Sequence, residues 1–265
     1  MYLVDMSELN TIERQQEIVR LTQQQGKVSV KELSGRFAVS EVTIRNDLSI
    51  LDRKKLLVRS RGGAMVNTQL GRELSLKEKS HHRLALKQLL GKEAAQLIGD
   101  DEQILLDSGT TTQEVATNLV DRNNLVVMTN GLNIALELAQ AEQVQVMLTG
   151  GVLRKKSMSF YGHLAEKSLQ DFHFNKLILG VDGFDLKTGL ATHFEKEAIL
   201  NRIMCEIASE IIVVTDSSKF NARAFHRICP MQRIHTLVTD DGIPDEYVQA
   251  LQRQGVRLHL VKQIK

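Results

Sequence analysis

Residues 36–64 read RFAVSEVTIRNDLSILDRKKLLVRSRGGA. Ser40 is a good helix N-cap, because its hydroxyl can take a backbone N–H that the first turn leaves free. Behind it Ile44, Leu48 and Leu51 recur at i, i+4 and i+7, the apolar stripe of an amphipathic helix. That helix ends in Arg53-Lys54-Lys55, where the dipole favours positive charge. Leu56 to Val58 reads as a strand and Gly62-Gly63 as a tight turn or strand exit. Working upstream, Ala38-Val39 is a turn and a short helix runs through Leu33 and Phe37. Ser29 caps that helix, with Glu32 at the capping-box position. Gly26 closes an earlier helix carrying Ile12, Ile18, Val19 and Leu21.

Helix, helix–turn–helix, strand and basic loop make a winged helix-turn-helix domain, expected over residues 8–65. From Lys27 to Arg61 nine basic residues stand against four acidic ones, while the whole 265-residue chain carries a formal net charge of only +2. A basic module on a near-neutral body points to a polyanion partner for that module alone. A helix fits the major groove, and its N-terminal side chains reach base edges. With the cap Ser40, the candidates facing a groove are Glu41, Thr43, Arg45 and Asn46. Arg45 can clamp guanine or phosphate, and Asn46 can pair with adenine or a phosphate oxygen. Arg59 and Arg61 on the wing can enter a minor groove or hold the backbone. The pattern alone leaves open a protein-interaction module or a solvated basic face.

Residues 66–80, VNTQLGRELSLKEKS, are polar and read as an exposed linker. A helical pattern starts near His82, and from there a second domain, 81–265, alternates strands with helices. Strands are expected at 103–107, 125–129, 144–149, 175–182, 210–216, 235–240 and 256–261. Helices fall between them at 111–120, 132–141, 164–171, 195–209 and 245–254. Such βα alternation implies a mainly parallel sheet covered on both faces, with ligands at the carboxyl ends of its strands.

The residues that follow successive strands share one chemistry. They are Asp107, Ser108, Gly109, Thr110, Thr111 and Thr112; Thr129 and Asn130; Thr149, Gly150 and Gly151; Asp182; and Asp216 to Lys219. Gly109 lets backbone N–H groups turn inward, and the threonines add hydroxyls at a helix N-terminus, which favours an anion. Arg154 and Lys219 supply positive charge; Asp182 and Glu195 can accept hydrogens from a sugar. Each feature singly is also what an N-cap, a turn or a surface lysine looks like. Their repetition at five strand ends points to a small-anion pocket.

The segment 36–64 resembles the N-terminal signature of the DeoR family of bacterial transcriptional regulators, through Val39, Ser40, Thr43, Ile44, Arg45, Asp47, Leu48, Leu51 and Gly62-Gly63-Ala64. Asn46 departs from that pattern, since many members carry Arg there. DSGTTT, TNGLN, TGGVLR, GVDG, HFEKEA and DSSKF resemble the family's sensor domain over nearly all of the chain after residue 80. The resemblance implies a fold similar to ribose-5-phosphate isomerase and glucosamine-6-phosphate deaminase, and a phosphorylated sugar as effector. RKKSMSFYGHLAEKSLQDFHF and VTDSSKFNARAFH look closest to members that control amino-sugar or hexitol catabolism, such as the N-acetylgalactosamine regulator. The implied function is a repressor released from double-stranded operator DNA by a phosphorylated sugar, acting as a homo-oligomer, dimer or tetramer. The alternative is a phosphosugar isomerase or deaminase with a DNA-binding domain, using Asp182 or Glu195 as base beside Lys219. The deaminases carry an acidic stretch where this chain reads Thr129-Asn130-Gly131-Leu132, so the resemblance implies a pocket that binds without reacting.

Composition narrows the remaining classes. No apolar run reaches the roughly 18–20 residues of a membrane span. The N-terminus has acids where a secretory signal carries its apolar core, so the cytoplasm is expected. Cys205 and Cys229 make no disulfide framework, and the eight histidines fall in no zinc spacing. No metal and no cofactor is expected.

Overall fold

A computed structural model describes residues 10–53, 56–66, 74–222 and 224–263. The chain divides into two compact units, with the division between residues 72 and 73.

The first unit contains α1 (Thr11–Gln25), β1 (Lys27–Ser29), α2 (Val30–Phe37), α3 (Glu41–Arg53), β2 (Leu57–Ser60) and β3 (Gly63–Val66). Strand β3 lies between β1 and β2, antiparallel to both. Sequence periodicity found the three helices and the strand before the turn, but not β1, which is too short to show alternation. Gly62-Gly63 closes the β2–β3 hairpin, and a Cβ on Gly63 would overlap the Val28 carbonyl. Ser29 caps α2 by accepting the Glu32 N–H, and α2 ends at Ala38, in the left-handed region at φ 51°. Ile18, Leu21, Leu33, Phe37, Ile44, Leu48, Leu51 and Leu57 form the core. Beside it Asp47 is buried, accepting from Arg14 Nε at 2.7 Å and Gln15 Nε2 at 2.8 Å. The expected basic end at Lys54-Lys55 lies outside the described residues.

The second unit is built on seven parallel strands: β4 (Gln103–Leu106), β5 (Leu125–Thr129), β6 (Val144–Leu148), β9 (Phe174–Leu179), β12 (Ala208–Val214), β14 (Thr236–Asp240) and β15 (Arg257–Val261). Their order is β15-β14-β12-β9-β4-β5-β6. Side chains alternate between faces with the strand period of two. Leu105, Leu177, Leu179, Ile211 and Val213 pack in one cluster, and Ile104, Leu106, Ile178, Ile212 and Val214 in the other. Both faces are covered, as parallel sheets require.

Two smaller antiparallel pieces were not foreseen. Strands β7 (Val152–Arg154) and β8 (Ser159–Tyr161) form a hairpin, and β10 (Gly183–Asp185), β11 (Gly189–Thr192) and β13 (His226–Arg227) form a small sheet. The expected linker 66–80 also changes. Residues 67–73 lie outside the described residues, but Leu76–His81 is a helix, started by a complete capping box between Ser75 and Glu78. The helix expected near His82 starts at Leu84, because Arg83 interrupts it in the left-handed region at φ 56°. Among the described residues, no helix is long and apolar enough to cross a membrane.

Candidate functional site

On the first unit, α3 buries Ile44, Asp47, Leu48 and Leu51 and leaves Glu41, Arg45 and Asn46 exposed. Ser40 Oγ accepts the Thr43 N–H at 3.1 Å and lies 2.9 Å from Thr43 Oγ1, so both hydroxyls are engaged in the cap. Arg45 pairs with Glu41 one turn earlier at 2.6 Å. Arg59 is folded back toward α3: its N–H donates to Asp52 and its guanidinium to Ser49 Oγ at 3.0 Å. Arg61 is exposed in the hairpin turn. The structure thus brings Arg45, Asn46 and Arg59 to one solvent-facing side of α3 and its wing.

On the second unit, the residues after β4, β5 and β9 converge. Gly109 is the N-cap of the helix Thr110–Thr117, with φ 143° and no side chain to satisfy the first turn. The N–H groups there have no acceptor within the helix, and they lie at the carboxyl end of the sheet. The Ser108 N–H donates to Asn130 Oδ1 at 2.8 Å, and Thr129 Oγ1 accepts from the Gly131 N–H at 3.0 Å. Any side chain at Gly180 would lie 3.7–3.9 Å from Thr112, Ser108 and Asp107, so the loop after β9 rests on the loop after β4. Thr112 is fully buried, yet its Oγ1 has no hydrogen-bond partner.

The charges fall in two sectors. In the first, burial, and after it the Glu197 charge, push the Asp107 pKa up to about 8; Asn201, Asn130 and the Ser108 N–H only partly offset this. Glu197 is itself buried and accepts from Ser157 at 2.7 Å, Ser159 at 2.6 Å and, more distantly, Arg154 at 3.5 Å. Arg154 also stacks over the Phe194 ring at 4.2 Å. In the second sector, Asp182 binds Lys79 Nζ at 2.7 Å and Thr192 Oγ1 at 3.2 Å. Burial alone would raise its pKa, but Lys79, His193 and Lys219 outweigh that and hold the carboxyl well below the usual range. Asp216 is held low in the same way, burial being overcome by Ser218, Lys219 and Arg83, and Arg83 lies 2.8 Å away.

Three expectations take a different form. Glu195 is exposed at the first position of the helix Glu195–Ile207, and Glu197 is the carboxylate that turns inward. Gly150 and Gly151 form the turn from β6 to β7, at φ 66° and 103°. A Cβ on Gly151 would come within 2.6 Å of the Tyr161 carbonyl, so chain geometry accounts for both. Asp107, expected to touch a ligand, is almost wholly buried beneath the loop. The sequence reading missed Lys79, Arg83, Lys87, Glu197 and Asn201. Only the capping-box pattern at Ser75 and Glu78 signalled that the first of these belongs to an ordered segment. Among the described residues, no group of three or more His, Cys, Asp or Glu is placed to hold a metal ion.

Residues 14–70 match the DeoR-like helix-turn-helix domain and residues 82–241 the DeoR C-terminal sensor domain. A relative from Escherichia coli O157:H7 that carries the name of an aga operon transcriptional repressor is 47% identical over 95% of this chain and 94% of its own. The regulator GlpR of Haloferax volcanii is 32% identical over 92% of this chain and 95% of its own. Among solved structures, ribose 5 phosphate isomerase A from Neisseria gonorrhoeae matches with a TM-score of 0.39 and 14% identity, over 52% of this chain and 54% of that one. The chain, a winged helix-turn-helix unit joined to a parallel α/β sensor domain, belongs to the DeoR family of DNA-binding transcriptional regulators.

Proposed function

We propose that this regulator represses a carbohydrate catabolic operon, of amino-sugar or hexitol type, and that a phosphorylated sugar releases it from its operator. The observation that carries the reading is the uncapped N-terminus of the helix Thr110–Thr117 at the carboxyl end of the sheet. Its free N–H groups suit an anion. Thr110 and Thr111 add hydroxyls beside it, Lys219 adds charge, and Asn130 fixes the loop through Ser108. Asp182 and Arg154 face the sugar. The α3 residues Glu41, Thr43, Arg45 and Asn46, with the wing arginines Arg59 and Arg61, face the operator.

Coupling follows from linkage. The effector weakens DNA binding only by as much as it prefers the DNA-free form. Two protomers, presenting two α3 helices to two half-sites, lose operator affinity when that preference changes their spacing. We place the protein in the cytoplasm with its operator.

The test is operator binding by the full chain titrated with hexose, hexosamine and hexitol phosphates. At least one is expected to release the DNA; release by none of them would overturn the reading. The second reading is catalysis, with Asp182 or Glu195 as the base beside Lys219. Against it stand the depressed Asp182 and the outward Glu195. Turnover of any of these sugars by the purified chain at ordinary enzyme rates would establish the second reading instead.

A further inference from the structure

Lys87 is the least expected side chain in the second unit. It is only 5% exposed, although a buried ammonium is expensive unless it is paired. No carboxylate among the described residues lies within ion-pair distance of it. Its Nζ donates to the backbone carbonyl of Lys79, a neutral acceptor. Its charged surroundings are mixed: Asp216, the strongest of them, and Glu114 favour its charge from beyond contact, and Lys219 and Lys79 oppose it.

The position of Lys87 follows from the packing of two helices. Both Leu84–Ala95 and Thr110–Thr117 run from the carboxyl side of the sheet toward its amino side. They touch where a Cβ on Gly91 would come within 2.5 Å of the Glu114 backbone. Residues four apart are neighbours on a helix face. One turn back from that contact on each helix are Lys87 and Thr110, the latter in the uncapped first turn. Two residues further along, and so about 200° round the helix from Thr110, the buried Thr112 hydroxyl is without a partner and lies against the cap Gly109. An uncapped helix start, an orphan hydroxyl and a buried lysine without a counter-ion lack one thing in common, an anion.

We propose that Lys87 is the cation that receives the effector's phosphoryl group, held on the Lys79 carbonyl until an anion draws it to the first turn of the helix Thr110–Thr117. The inference rests on the reading of this pocket as a sugar-phosphate site, and it names the charge that serves it. It also supplies a route outward. When Lys87 leaves the Lys79 carbonyl, the helix Leu76–His81 loses a tie at its C-terminal half. That helix is the first described element after the division between the two units.

Burial holds the Lys87 pKa down to about 8. The groups facing it are Lys79, Lys219, Asp216 and Glu114, and an arriving dianion outweighs them and restores the proton. Binding above pH 8 should therefore take up protons, since a phosphate monoester with a second pKa near 6 is already fully ionised there.

The experiment is calorimetric titration of the full chain at pH 8.5, in two buffers of different ionisation enthalpy. The probes are inorganic phosphate and a set of hexose and hexosamine 6-phosphates. The wild type is expected to bind at least one sugar phosphate with uptake of a fraction of a proton. Lys87→Met is expected to weaken that binding roughly tenfold or more, the scale of one charge-assisted contact, and to abolish the uptake. Lys87→Gln serves as a second variant if the first fails to fold. Unchanged affinity and proton uptake in a folded variant would overturn the role of Lys87 and leave the sugar-phosphate reading standing. Binding by the wild type without proton uptake, weakened in the variant, would support the contact and overturn only the depressed pKa of Lys87. Binding of inorganic phosphate alone, lost in the variant, would support Lys87 and overturn the sugar reading. No binding of any probe would overturn both.

Discussion

The Lys79 ammonium and the Asp182 carboxylate stand 2.7 Å apart across 103 residues of chain. This pair fastens the short helix Leu76–His81 to the loop after β9. The helix is fastened again where the Leu76 N–H donates to the Lys156 carbonyl at 2.8 Å, on the turn between β7 and β8. Six residues make fewer than two turns, too few for a helix to persist in water by itself. These ties and the capping box therefore decide whether the helix exists.

Lys79→Met is expected to raise amide exchange across residues 76–81 while leaving the sheet protected. Both partners are largely buried, so removing one should cost about 1–3 kcal/mol of stability, below the full penalty of a sealed pair. Asp182 has a depressed pKa in the fold. Its contribution is therefore present above the unfolded carboxylate value near 4 and is lost as pH falls below it. Urea melts at pH 7 and pH 3 should differ less in the variant than in the wild type; an equal difference would contradict the pairing.

Asp107 has the opposite sign. Its pKa rises to about 8 in the fold, so the folded chain holds a proton that the unfolded chain releases near pH 4. Stability tied to this group is present at low pH and is lost as pH rises from about 4 through 8. Asp107→Asn removes that dependence while keeping a group that can face Asn201 and Glu197. The variant is expected to lose less stability than the wild type between pH 5 and 9. The difference should be on the order of a few kcal/mol, read from urea midpoints.

The strands of the sheet were legible because buried parallel strands are apolar runs, and LVVMT at 125–129 was placed to the residue. The turn at 108–112 and the helix after it were legible because a glycine among hydroxyl residues ends an apolar run and starts a helix; that it holds an anion was suggested only by its repetition at other strand ends. Lys79, Arg83 and Lys87 were not, since lysine and arginine usually face water, whether on the short polar helix Leu76–His81, before the helix Leu84–Ala95 or within it. Nothing local shows that Lys87 is covered. Its burial depends on Gly91, one turn later, letting its helix press against Glu114. Glu195 was named from the sequence and Glu197 was not, for a similar reason. Two carboxylates at i and i+2 differ by 200° around a helix, and only the position of the sheet decides which turns inward.

In the first unit, Asp47→Ala is expected to be severe. It strips Arg14 and Gln15 of their shared acceptor while both remain buried. Leaving an uncompensated buried charge typically costs about 3–5 kcal/mol, a large share of what a module of this size possesses. Operator binding should vanish together with the helical signal of residues 10–66, and the melt of the second unit should stay put. A folded variant that merely binds DNA more weakly would show that Asp47 acts at the interface and not in the core.

Arg45→Ala separates contact from fold. Arg45 is exposed, and its pairing with Glu41 lies on the surface, where such pairs add little to stability. The thermal melt should therefore hardly move. Operator affinity should fall, and the slope of log affinity against log salt should shrink by about one if Arg45 meets a phosphate. If affinity falls with an unchanged slope, Arg45 reads a base instead.

Thr111→Asp tests the cradle. Thr111 occupies the second position of the helix Thr110–Thr117 and is partly exposed, so the substitution disturbs no core packing. A carboxylate there satisfies the free N–H groups and suits the positive end of the dipole, so the variant should be as stable as the wild type or more so. The same carboxylate occupies the place proposed for a phosphoryl group and repels it. Loss of effector binding should thus accompany unchanged or raised stability, a combination that damage to the fold does not produce. The variant is expected to stay on its operator at effector concentrations that release the wild type. If that charge mimicked the ligand instead of excluding it, the variant would release DNA with no effector present. The two outcomes differ in sign in a single band-shift titration, and normal induction would refute the role proposed for the loop.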